Sequence, residues 1–145
     1  DINTGENRIL RADIIQDCGN SLNENIDIGQ IEGGFVQGLG WLTCEELYFS
    51  KEGKLLTTGP STYKLPGSRD TPSIFNVKLL ENADNDEKTI FRSKAVGEPP
   101  LLLAISHFLA LKEAIKVASS SSNPELLNSP ATPSEILKAI NGLTS

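Results

Sequence analysis

Asp27-Ile28-Gly29-Gln30-Ile31-Glu32-Gly33-Gly34-Phe35-Val36-Gln37-Gly38-Leu39-Gly40-Trp41-Leu42 is the stretch on which the fold turns. Ile28, Ile31, Phe35, Leu39 and Leu42 recur at steps of three and four, which gives a helix opening at Asp27 with one apolar stripe. Gly29, Gly33, Gly34, Gly38 and Gly40 all fall inside it. Each glycine in a helix interior costs about 1 kcal/mol relative to alanine. A helix carries several of them where something must approach its backbone closely. At roughly 100° per residue, Gln30, Gly33, Gly34, Gln37 and Trp41 share the face opposite the stripe. Two readings follow. The helix lies against a cofactor, with Gln30 hydrogen bonding near its start. Alternatively, it packs closely on another element, and Gln30 completes a capping box with Asp27. Periodicity alone favours close packing.

Upstream, Arg8 to Cys18 reads as a strand, with Ile9, Leu10, Ile14 and Ile15 apolar and Gly19-Asn20-Ser21 as the turn that ends it. Downstream, Thr43 to Leu56 reads as a hairpin turning at Lys51-Glu52-Gly53-Lys54. Gly59 to Thr71 is irregular. Ile74 to Leu80 is a second strand, and Glu81 to Lys88 a polar surface loop. Thr89 to Arg92 is expected to be a short extended run. Leu101 to Ala118 is apolar on most sides and reads as a buried helix. Ser119 to Ser122 is a linker. Thr132-Pro133-Ser134-Glu135 has the form of a helix start, with Thr132 as N-cap, and that helix runs to about Asn141. The expected class is α+β, a mixed or antiparallel sheet with packed helices. Residues 1–122 form the main body and 123–145 a tail with the short helix.

The net charge of −6 argues against nucleic acid or an anionic membrane as partner, because both need a basic face. The longest apolar run, Leu101 to Ile105, is too short to span a bilayer. The chain of 145 residues contains no Met, and its start lacks an apolar signal core, so a piece of a longer polypeptide is expected. Cys18, Cys44 and His107 are too few and too scattered for a structural metal site. The cysteines are expected to be buried free thiols in a reducing compartment, the cytoplasm. His107 is expected to be a hydrogen-bonded core histidine. Ser61 and Lys64 lack a His or Asp at useful spacing for nucleophilic chemistry.

Gly97-Glu98-Pro99-Pro100 precedes the apolar helix. Prolines suit a first turn, where missing N–H groups cost little. Glu98 then stands at the helix mouth, either as an N-terminal cap or as an ionised carboxylate available as a general base. Lys94 either contacts an anionic cofactor or is a solvated loop lysine.

The Asp27–Gly40 stretch, the loop Gly59-Pro60-Ser61-Thr62-Tyr63-Lys64-Leu65-Pro66 and Ser93-Lys94-Ala95-Val96-Gly97-Glu98-Pro99-Pro100-Leu101 together resemble the C-terminal part of the molybdopterin-binding large subunit of the xanthine dehydrogenase family. They stand in the family's order and roughly its spacing, within about residues 8 to 118. Ser129 to Pro133 and Trp41-Leu42-Thr43 are similar to bacterial-type members. The resemblance implies a molybdenum-cofactor-binding domain of a hydroxylase that oxidises hypoxanthine and xanthine to urate. It implies Glu98 as the general base that activates the attacking hydroxyl, Gln30 as a hydrogen-bonding partner at the metal centre, and Lys94, Ala95, Val96 and Gly97 as the loop beside the cofactor. No residue here is implied as a metal ligand. It further implies FAD and 2Fe-2S clusters on other regions, and as partners the rest of the molybdopterin subunit and an iron–sulfur/FAD subunit. The paired prolines lean away from aldehyde oxidases, which resemble this region but tend to replace them. The substrate clamp, most pterin contacts and the cysteine clusters of iron–sulfur sites lie outside this chain. Alone, it is expected to be inactive, to bind no cofactor tightly and to self-associate through exposed apolar surface. An aldehyde or N-heterocycle hydroxylase is the alternative activity, and a non-catalytic α+β module the alternative of another class.

Overall fold

The computed structural model describes residues 1–143, so the last two residues of the expected tail lie outside the described residues. The elements in chain order are strand β1 (Arg11–Gln16), helix α1 (Glu24–Thr43), strand β2 (Ile74–Leu79), helix α2 (Pro99–Leu102), helix α3 (Ile105–Lys116) and helix α4 (Pro133–Ile140), with 3-10 turns at Ile90–Arg92 and Pro124–Leu126. The class is α+β. The two strands, however, pair in parallel, Arg11 opposite Ile74 through Gln16 opposite Leu79, rather than through a hairpin. Antiparallel pairing among the described residues is confined to the bridges Gly19–Ser93 and Phe49–Leu55. The Phe49–Leu55 bridge marks the expected hairpin, whose turn has Gly53 at φ 81°.

α1 begins earlier than its apolar stripe. Asn23 is the N-cap, and its side chain accepts from the Ile26 N–H. Asp27 lies in the first turn instead of capping it, and its carboxylate accepts from the Ser21 hydroxyl. The Asp27–Gln30 capping box is therefore not formed. The stripe behaves as read: Ile31, Phe35 and Leu39 are buried and meet Ile14, Cys18 and Ala104, with Phe75, Val77 and Val96 packed against them. The Phe35 and Phe75 rings lie 5.6 Å apart between centroids. Along the strands alternate residues turn inward, so Ile14 is buried while its neighbour Ile15 is 70% exposed.

The apolar stretch after Pro100 departs from expectation. It breaks at Leu103 and Ala104 into α2 and α3. Leu102, Leu103, Ile105 and Leu109 are exposed, so this helix is not enclosed by the chain itself. The run at Thr89 to Arg92 is a 3-10 turn with left-handed φ at Phe91 (51°) and Arg92 (58°), not an extended segment.

A second core joins α3 to the tail. Leu111 and Ile115 pack with Leu127, Ala131, Ile136, Ala139 and Ile140. The tail is also tied to α1 by the Ala131 N–H, which donates to the Leu42 carbonyl at 2.6 Å. α4 starts as expected, with Thr132 accepting from the Glu135 N–H. Thr132→Ala should remove that cap at a cost of about 1 kcal/mol. Hydrogen exchange of the first α4 amides should read this as faster opening, and unchanged exchange there would reject the cap.

Candidate cofactor-facing site

Glu98 occupies the N-cap position of α2 with φ −100° and ψ −39°, and its side chain makes no cap hydrogen bond. It is exposed and takes part in none of the ion pairs among the described residues. The cap that sequence physics allowed is therefore not realised. The Glu98 backbone is nevertheless held. Pro100, two residues on, is fully buried against Gly34, where an added methyl would stand 3.1 Å from Pro100 Cβ. Two residues before, Val96 packs on the core. The result is a fixed backbone carrying a free carboxylate.

Gln30 comes to the same place. A methyl group built on Gly97 would stand 3.5 Å from Gln30 Oε1, so the Gln30 amide borders the residue preceding Glu98. Gln30, Gly33, Gln37 and Trp41 are exposed along α1, as the face was read, but Gly34 is buried beneath α2. The glycines thus divide into two groups. Gly34 and Gly38 allow close packing: a methyl on Gly38 would overlap the Leu101 carbonyl oxygen and stand 2.7 Å from Ala104 Cβ. Gly29 and Gly33 have nothing within 4 Å. No contact among the described residues explains why these two positions lack a side chain. Both packing and an outside surface are served by one helix.

Of the remaining expected site residues, Ala95 and Gly97 are exposed and Val96 is half-buried. Lys94 is partly exposed and already paired within the chain. Its Nζ donates to Asp17 Oδ2 at 2.6 Å. Its N–H donates to the Cys18 carbonyl at 2.8 Å. Lys94 and the Gly19 N–H together hold the Asp17 carboxyl below the usual carboxylate range. Sequence reasoning missed Asp17. Asp17 falls at the end of the expected strand, just before the Gly19-Asn20-Ser21 turn, and its partner lies far along the chain.

Cys18 and Cys44 are both unpaired, and burial pushes both thiols up. His107 is half-buried with Nε2 3.2 Å from Asn7 Oδ1, and burial lowers its pKa. Ser61 gains no catalytic neighbour, while nearby Tyr63 donates its hydroxyl to Glu45 at 2.6 Å. A cavity of about 430 Å³ opens between β1 and α3, lined in part by Ile9, Phe35, Leu103 and His107. None of the expected site residues lines it. Among the described residues no group of three or more His, Cys, Asp or Glu could hold a metal ion. The residues near Glu98 and along α1 suit a cofactor held by hydrogen bonds and backbone contact: an exposed amide, an unpartnered carboxylate and two open glycines, Gly29 and Gly33.

Residues 1–72 match the model of the molybdopterin cofactor-binding domain family. The xanthine dehydrogenase/oxidase of Felis catus is 54% identical over 143 residues, covering 94% of this chain and 11% of that protein. Among solved structures, quinoline 2-oxidoreductase from Pseudomonas putida 86 superposes with a TM-score of 0.72 at 28% identity, covering 87% of this chain and 15% of that one. CO dehydrogenase from Oligotropha carboxidovorans shares the fold, with a TM-score of 0.81 at 21% identity over 96% of this chain and 16% of that one. The chain thus spans about a tenth of the length of the xanthine dehydrogenase it matches. The glycine-lined helix, the buried Pro100 beside Glu98 and this similarity over nearly the whole chain agree, and the chain belongs to the xanthine dehydrogenase family as part of its molybdopterin cofactor-binding domain.

Proposed function

We propose that this chain supplies the general base and part of the cofactor wall of a molybdenum hydroxylase that oxidises hypoxanthine and xanthine to urate, working within a longer polypeptide. The observation that carries the reading is the free Glu98 carboxylate on a fixed backbone, directly after Gly97, which borders the Gln30 amide. The molybdenum cofactor, when bound, supplies oxygen transfer and takes up the electrons removed from substrate. Glu98 accepts the proton of the attacking hydroxyl, a role that needs an ionised group within reach and no competing partner. The Gln30 amide orients the cofactor through hydrogen bonds, and Ala95, Val96 and Gly97 form the wall beside it. FAD and 2Fe-2S clusters on other regions carry electrons away, and the rest of the molybdopterin subunit provides the substrate clamp. Two unpaired thiols support a cytoplasmic location. The similarity is not peculiar to bacterial-type members, since a mammalian relative shares 54% of the aligned positions.

The test is a substrate panel on the purified full-length parent, with molybdenum and flavin content measured beside it. Xanthine should give the highest kcat/KM, above benzaldehyde and quinoline. A preference for the aldehyde would move the chain to the aldehyde-oxidase reading, and an assembly without molybdenum would reject the hydroxylase. The isolated 145-residue chain should retain no stoichiometric molybdenum, because its own residues provide only one side of the pocket.

A further inference from the structure

Three hydrogen bonds converge on the residues just before the Glu98 loop. Asp17 Oδ2 accepts from Lys94 Nζ at 2.6 Å. The Cys18 carbonyl accepts from the Lys94 N–H at 2.8 Å, and the Asn20 N–H donates to the Arg92 carbonyl at 3.1 Å. These two backbone bonds make Gly19 and Ser93 an antiparallel bridge pair. Gly19 adopts φ 62°, and a methyl there would overlap the Arg92 carbonyl oxygen, so the two segments touch backbone to backbone. The anchor stands where it is needed, because the chain has just turned through left-handed φ at Phe91 and Arg92. Beyond Lys94, only Ala95, Val96 and Gly97 precede Glu98, and Pro100 fixes the far end.

We propose that Asp17 is a positioning residue for Glu98, acting through Lys94. The inference rests on Glu98 being the base. Asp17–Lys94 is a partly exposed pair, with side chains 39% and 33% accessible, and such pairs contribute little to global stability. Its consequence is local. It fixes one end of a short loop whose other end is buried, so the carboxylate between them has one backbone placement. Asp17→Asn keeps the shape and the hydrogen bond from the Gly19 N–H, but removes the charge that holds Lys94. The loop then gains freedom, and a misplacement of about 1 Å in a reacting group can cost about 10²-fold. Lys94 is thereby a tether instead of a cofactor contact.

The experiment uses the full-length parent carrying Asp17→Asn, Asp17→Glu, or the exchanged pair Asp17→Lys with Lys94→Asp, and Glu98→Gln beside them. The first readout needs no activity: hydrogen exchange of the Ser93–Gly97 amides in cofactor-free protein should quicken in Asp17→Asn and recover in the exchanged pair. In the loaded assembly, kcat of Asp17→Asn should fall between about tenfold and 10²-fold with KM and molybdenum content unchanged. Asp17→Glu and the exchanged pair should restore most of it. Wild-type kcat in Asp17→Asn would overturn the proposal. So would an exchanged pair that regains slow exchange but not kcat, since Lys94 would then act directly by its charge. Loss of molybdenum or of thermal stability together with kcat would reduce Asp17 to a purely structural role and also overturn it. Glu98→Gln separates the two levels: full turnover there rejects the base, whatever Asp17 does.

Discussion

Glu98→Gln in the full-length assembly should lower kcat by about 10² to 10⁴, the range a positioned general base supplies. KM and molybdenum content should hold. The substitution is well suited to the question because of what Glu98 lacks. Its side chain caps no N–H and pairs with no cation among the described residues, so an isosteric amide removes no internal contact. The packing that fixes its backbone comes from Val96 and Pro100, and neither is touched. A loss of rate therefore reports lost proton acceptance rather than a disturbed loop. Stopped-flow reduction of the loaded assembly by xanthine measures it without interference from later electron transfer. An unchanged rate of reduction would remove Glu98 from the chemistry.

Gly38→Val should produce the largest structural effect. The new Cβ would overlap the Leu101 carbonyl and press on Ala104 Cβ at 2.7 Å. Leu101 lies in α2 and Ala104 is fully buried just before α3, so the helices must separate, at a cost of about 3 kcal/mol for overpacking of this kind. Hydrogen exchange of the α1 and α2 amides in the parent should show the opening free energy fall by about that amount. Gly33→Ala is the matched control. Nothing lies within 4 Å of Gly33, and its replacement should favour the helix by about 1 kcal/mol. In the loaded assembly that same methyl would enter the proposed cofactor wall and lower molybdenum occupancy. A Gly38 variant with wild-type exchange would mean that the glycine is not there to permit contact.

Residue type and spacing make Glu98 and Gln30 stand out, but by themselves favour a cap and close packing. The catalytic reading comes from the resemblance, and the structure brings Gln30 against the residue preceding Glu98. The helix of the opening stretch could be read because its stripe is local, repeating every three or four residues. Its true start at Asn23 was hidden because Leu22 and Ile26 are exposed and add nothing to the stripe. The parallel pairing of β1 and β2 left no local mark, since no turn sequence joins partners so far apart in the chain. Nor did the break at Leu103–Ala104, which has neither glycine nor proline and arises where the chain passes Gly38 of α1. Asp17 was invisible for the same reason: its role depends on Lys94, which only tertiary structure brings near. The expectation of a buried α3 failed because hydrophobic composition shows that a surface will be covered, not which polypeptide covers it.

The two cores also differ in how they can assemble. The cluster of Leu111, Ile115, Leu127, Ala131, Ile136, Ala139 and Ile140 draws on one continuous stretch near the end of the chain. The cluster beneath the site needs Ile14 to meet Ala104, with α1 and both strands in place. Closing the longer loop carries the larger entropic cost and slows the search. The C-terminal cluster can therefore form early, presenting a ready-made α3 before Ala131 ties it to Leu42. The half that orients Glu98 is then the last to order.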